Sequence, residues 1–132
     1  MKAIVLAIVS VFLQTGCLTT PAEPVVSIPA PVCHNAKQCD VMWTAAQEWL
    51  PRVGRMQVAQ VLPDSIVTSP RLEGERTTMH GVVLKRPLTD GSYELSARFE
   101  CGEPQLPCTN LEQSGVNLFN TMVSAAGEGL EK

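Results

Sequence analysis

Five cysteines and two histidines are the residues of this 132-residue sequence whose chemistry must be weighed first. Cys33, His34, Cys39, Cys101 and Cys108 could together offer zinc several thiolates and an imidazole. Structural zinc knuckles, however, space their cysteines about two to four residues apart, and the gaps here are five and six residues. A Cys-x-x-Cys pair with a depressed thiol pKa, the mark of a redox centre, does not occur. Hydrolytic chemistry needs a nucleophile, a base and an orienting group. His34 falls in a short Cys-bracketed loop, His80 is expected to point toward the inner face of a sheet, and Asp64, Glu73 and Glu75 sit in turns or loops where carboxylates are usually solvated. There is no Gly-x-Ser-x-Gly elbow, Ser-x-x-Lys, His-Glu-x-x-His or phosphate-cradling glycine loop. These residues predict neither an enzyme nor a bound metal or cofactor.

The fifth cysteine is explained by the N-terminus. Lys2 precedes Ala3 to Leu13, an apolar run broken only by Ser10, followed by Gln14, Thr15, Gly16 and Cys17. A basic start, a short apolar core and small residues at its end describe an export signal. A membrane-spanning helix would need about 20 apolar residues. The segment Leu13-Gln14-Thr15-Gly16-Cys17 resembles the lipobox of bacterial lipoproteins, with Gln14 where an aliphatic residue is usual. That resemblance implies cleavage after residue 16, a diacylglyceryl thioether on Cys17 and an acylated amine. Three acyl chains anchor stably where one, at a binding constant of about 10⁴ M⁻¹, does not. Leu18, in place of an inner-membrane retention Asp, implies sorting to the outer membrane, facing the periplasm. The competing reading is ordinary cleavage near Ala22, giving a soluble secreted protein, against which Pro21 and Pro24 crowd the site.

Export places the remaining cysteines in an oxidising compartment, where disulfides are the default. Four cysteines allow three connectivities. The local pairs Cys33–Cys39 and Cys101–Cys108 are expected, because each brackets the entry to a predicted helix. Each small ring is worth about 2.4 kcal/mol by loop entropy.

The elements that must hold these residues follow from the rest of the pattern. Residues 17–32 read as the lipidated cysteine and a proline-rich tether. At about 3.1 Å per residue in an extended proline-type conformation, it would reach roughly 45 Å. A single domain then spans 33–132. Asn35 and Gln38 have capping-box spacing. Met42, Ala45, Ala46, Trp49 and Leu50 form the stripe of a helix ended by Pro51, with Trp43 at its edge. Extended segments are predicted over 56–62 and 65–69 around the Pro63-Asp64 turn, and over 77–86 and 92–101 around Asp90-Gly91. A two-residue loop there would pair Leu84 with Ala97, Val82 with Phe99 and His80 with Cys101. Thr109 and Glu112 form a second capping box before a helix whose apolar face is Leu111, Leu118, Phe119, Met122, Val123 and Ala126, stopped by Gly127. Gly115 within it marks close packing on the sheet. The expected fold is α+β, a disulfide-stapled two-layer sandwich in the order helix, four-stranded antiparallel sheet, helix.

With 10 basic against 13 acidic residues and a net charge of −3, the chain lacks the basic surface a nucleic-acid partner requires. Arg71, Arg76, Lys85, Arg86 and Arg98 nevertheless concentrate near the central strands and are the candidate partner-binding residues. The lipobox-like start, the proline tether, Cys39-Asp40-Val41-Met42-Trp43 and the paired C-terminal cysteines together resemble small envelope lipoproteins of Gram-negative bacteria. The function implied is a membrane-anchored, non-enzymatic module that binds an envelope protein or a cell-wall component. The alternatives are an anchored inhibitor or immunity protein directed at a hydrolase and, less favoured, a hydrolase in its own right.

Overall fold

The computed structural model describes residues 24–70, 79–101 and 109–131. The signal segment, Cys17, Arg71, Arg76 and Cys108 lie outside the described residues. The chain is α+β, with two helices and an antiparallel sheet in the order β1(Val32–Cys33), α1(Ala36–Arg52), β2(Val58–Val61), β3(Ser65–Thr68), β4(Met79–Pro87), β5(Tyr93–Cys101), α2(Thr109–Ala126). Five strands lie in the order β1-β5-β4-β3-β2, one more than the sequence pattern predicts. The additional strand is β1, drawn from the end of the expected tether. Val32 pairs with Glu94, Cys33 pairs with Tyr93, and the Leu95 N–H donates to the Pro31 carbonyl at 2.8 Å. Pro31 is fully buried, so the domain boundary lies earlier than Cys33. Cys33 and Cys39 are joined by a disulfide that binds this edge strand to the first turn of α1.

Asn35 caps α1 as its spacing requires, its Oδ1 accepting the Gln38 N–H at 2.9 Å. The reciprocal arm reaches one residue further back, Gln38 Oε1 accepting the His34 N–H at 2.8 Å. Both cap side chains also fasten the end of α2. Asn35 Nδ2 donates to the Leu130 carbonyl at 2.6 Å, and Gln38 Nε2 donates to the Gly127 carbonyl at 3.1 Å. The helix runs one residue beyond Pro51. A proline in the last turn removes a single intrahelical bond, and the Trp49 and Leu50 carbonyls are satisfied by the N–H groups of Val53, Gly54 and Met56.

The β4–β5 hairpin differs from expectation by one residue. Leu88 and Ser92 close the loop, leaving Thr89-Asp90-Gly91 between them with Gly91 at φ +84°. A three-residue loop with its third residue left-handed is the standard alternative to a two-residue turn. The consequence is a changed partner at every position: Val83 faces Ala97, Gly81 faces Phe99 and Met79 faces Cys101. Because strand side chains alternate, this single residue moves His80, Val82 and Leu84 to the outer face and brings Met79, Gly81 and Val83 to the helix-covered one.

The core lies between that face and both helices. Met42, Ala46, Trp49 and Leu50 of α1 meet Phe119 and Val123 of α2 over Ile66, Val83, Leu95 and Phe99. On α2 the buried face is rotated from the expected stripe: Leu111, Leu118 and Met122 are exposed, and Gly115, Phe119, Asn120 and Val123 turn inward. Gly115 sits against Met79 and Phe99, the close packing its position implied. The Thr109 side chain of the expected capping box lies outside the described residues, and Glu112 reaches back to the sheet. Its Oε1 accepts the Cys101 N–H at 2.8 Å, tying α2 to the end of β5.

Phe99 lies across from Gly81, and a methyl group at Gly81 would run into the Arg98 carbonyl and the Phe99 ring. The Gly81→Ala protein is expected to lose about 2 kcal/mol of stability, within the range of overpacking costs, as read by denaturant titration. Replacing Cys33 and Cys39 together by Ser should cost about 2.4 kcal/mol by the same titration.

Candidate functional site

Of the cationic residues singled out in the sequence, Lys85, Arg86 and Arg98 are among the described residues and lie on two faces of the sheet. Period-two alternation sends Arg86 and Arg98 to the outer face of the sheet and Lys85 to the helix side. Arg86 lies directly across from Glu94, its Nη2 3.4 Å from the carboxylate, and also donates to Ser96 Oγ at 2.9 Å. Arg98 Nε lies 3.3 Å from Glu100, and His80 Nε2 lies 3.8 Å from the same side chain. These exposed pairs are each worth about 0–1 kcal/mol and leave little uncompensated charge for an anionic partner. His80 therefore belongs to the outer sheet face, not the inner one. The one-residue change in hairpin register is the physical reason.

Lys85 stands apart. Its Nζ lies 5.0 Å from the centroid of the Tyr93 ring, a cation–π arrangement at the mouth of a cleft of about 460 Å³. Four parts of the chain meet there. The start of α1 contributes His34, Asn35 and Asp40, the β2–β3 turn Pro63 and Asp64, β4 Lys85, and the hairpin end Gly91 and Tyr93. Turn and strand are tied together by the Lys85 N–H donating to the Asp64 carbonyl at 2.8 Å. Two carboxylates, an ammonium, an imidazole and a phenol thus line one concavity. The sulfur in it, on Cys39, is bonded to Cys33 and so is neither a nucleophile nor a thiolate ligand. The same bond removes two donors from the zinc set considered in the sequence. Among the described residues no three His, Cys, Asp or Glu side chains converge as a metal site. The cleft is equipped for recognition by charge and hydrogen bonding. Of its lining, Lys85 was selected from the sequence on charge. The approach of Lys85 to Tyr93 follows from a register that the loop decides.

The hairpin beside this cleft is braced by Asp90, whose Oδ1 accepts from both the backbone N–H and the hydroxyl of Ser92. The Ser92 hydroxyl, then its backbone N–H, holds the Asp90 carboxyl below its ordinary value of 3.8. The bracing is therefore complete above that ordinary value and is lost as pH falls through the lower folded one. Followed by the Ser92 amide NMR shift, Asp90 is expected to titrate with a midpoint below 3.8, and Ser92→Ala should raise that midpoint. Compared with known proteins, the chain matches no protein-family model and no curated protein.

Proposed function

We propose that this chain is a lipid-anchored lipoprotein of a Gram-negative envelope, held at the outer membrane by Cys17 and facing the periplasm, and that it acts by binding another envelope component rather than by catalysis. The observation that carries this reading is the Cys33–Cys39 disulfide, formed at the point where the N-terminal segment enters the fold. Such bonds persist in oxidising compartments, the destination that the apolar run over 3–13 and the lipobox-like Leu13 to Cys17 imply. Among the described residues no helix is long and apolar enough to cross a membrane. Attachment in this reading therefore belongs to the lipid.

The binding half of the proposal is supported by where the polar chemistry sits. Lys85 shares a cleft with Asp40, Asp64 and Tyr93, whereas His80 lies on the outer face of the sheet beside Glu100 and Arg98. The two histidines thus serve different surfaces.

Intact mass of the protein extracted from membranes should show a chain beginning at Cys17 and carrying three acyl chains. Cys17→Ser should move the protein from the membrane to the soluble fraction. An unmodified mature N-terminus, or unchanged membrane association of the Cys17→Ser protein, would refute the anchor.

A further inference from the structure

In the strap formed by residues 24–31, Val26 and Ile28 turn their backbone toward α2: the Ile28 N–H donates to Asn117 Oδ1 at 2.9 Å, and the Val26 and Ile28 carbonyls accept from Asn117 Nδ2 at 2.6 Å and Asn120 Nδ2 at 2.8 Å. At the strap's far end the Pro31 carbonyl turns toward β5 and accepts the Leu95 N–H. Continuing that antiparallel register would set Pro29 against Ala97. Pro29 and Pro31 have no N–H to give, so at these positions the strap can accept from β5, as the Pro31 carbonyl does, but cannot donate to it. Pairing stops at Leu95, and among the described residues the strap makes no backbone bond to Ala97 or Phe99.

Among the described residues, the edge groups of those two find no backbone partner. Leu95 and Cys101 direct their N–H groups away from β4, to Pro31 and Glu112, so the residues between them of the same parity, Ala97 and Phe99, do likewise. A groove of about 440 Å³ lies there, between strap residues 27–30, β5 residues 96–99 and α2. Asn120 lines it. Its side chain is 2% exposed, and its Oδ1 has no hydrogen-bond partner among the described residues. Unpaired backbone groups along a strand edge are a template for pairing with another strand.

We infer that this groove receives an extended peptide segment of a partner protein, which adds antiparallel to β5 beneath the strap and bonds the edge groups of Ala97 and Phe99. β1 already adds to this edge antiparallel, which fixes the direction. On β5 the residues whose backbone faces the edge are also those whose side chains face the helices. The guest residues bonded to them therefore point toward Val116, Ala97 and Phe99 and should be small and apolar, while the alternate ones face Ser96 and Arg98 and should be polar. The inference rests on the binding half of the proposed function and is independent of the anchor.

The probe is the peptide Lys-Thr-Val-Thr-Val-Thr-Lys, added to the full-length chain and read by amide hydrogen exchange and calorimetry. Saturable binding is expected, with exchange at the Ala97 and Phe99 amides slowed about tenfold or more. N-methylation of the two valines should abolish binding, and N-methylation of the central threonine should leave the bonds to β5 intact. Pro29→Ala restores a donor opposite Ala97 and lets the strap close on β5. It should protect the Ala97 amide without peptide and weaken the peptide about tenfold, by competition for one edge. Unchanged exchange at Ala97 and Phe99 in saturating peptide, or equal binding by the valine-methylated peptide, would overturn the inference. Either result leaves the Cys17 membrane test untouched, so failure of the groove and failure of the anchor are separately visible.

Discussion

Phe99 lies across the β4–β5 ladder from Gly81, and the arrangement of the core depends on that pairing. A glycine in a strand leaves the pleat bare, and here an aromatic ring covers it. From that position Phe99 stacks on Trp49 of α1 at 5.6 Å with the planes 7° apart, and meets Phe119 of α2 edge-on at 5.9 Å. Trp49 and Phe119 close the triangle at 5.4 Å and 89°. Three rings from three elements thus fix both helices against one strand. Aromatic pairs of these geometries add about 0.5–1.5 kcal/mol each beyond the area they bury. A register shifted by one residue would face Phe99 with Val82 and place Gly81 on the outer sheet surface.

The register is itself set by a small local feature. Gly91 occupies the left-handed region at φ +84°, and the Asp90 carboxylate holds Ser92 behind it. The sequence shows Asp-Gly, which serves equally in a two-residue turn and at the end of a three-residue loop. The apolar alternation of 77–86 cannot decide between them, because Val82, Val83 and Leu84 are consecutive and either parity offers an apolar face. The fate of His80 was therefore not legible, whereas strict alternation on β5 leaves only Leu95, Ala97 and Phe99 as its apolar face, and these do meet the core. The same holds for α1, whose cap at Asn35 and stripe through Met42, Ala46, Trp49 and Leu50 match their spacing.

On α2 the apolar residues span more of the circumference than one contact can bury, and the polar Asn120 decided which part faces in. Leu118 and Met122 lie outward because Asn117 and Asn120 are committed to the backbone of the strap. A hydrophobic-face reading has no means of assigning a buried asparagine, since its partner is a carbonyl about ninety residues away in a segment that looks like a linker. β1 was missed for the same reason. Two residues of strand, preceded by prolines, carry no periodic signal, and Val32 and Cys33 become a strand through the edge of β5 and the disulfide to Cys39.

The prolines of this segment have two effects that follow from one constraint. Their fixed φ favours an extended chain, which lets Val26 and Ile28 reach the α2 asparagines at small entropic cost. Their missing N–H groups leave the strap able only to accept from β5 at these positions, which weakens any pairing beyond Leu95. An ordinary alternating sequence would continue β1 past Leu95, give Ala97 and Phe99 their partners and close the groove. With Pro29 and Pro31 in place the strap is held by α2 and kept off β5, so an exposed sheet edge coexists with a fixed neighbour. Edges of this kind are usually blunted by charge or cover. Here the cover stops short over Ala97 and Phe99, which line the groove. A strand edge beside a donor-less wall has one physical consequence: the backbone groups of a strand supplied by another molecule are what would satisfy it.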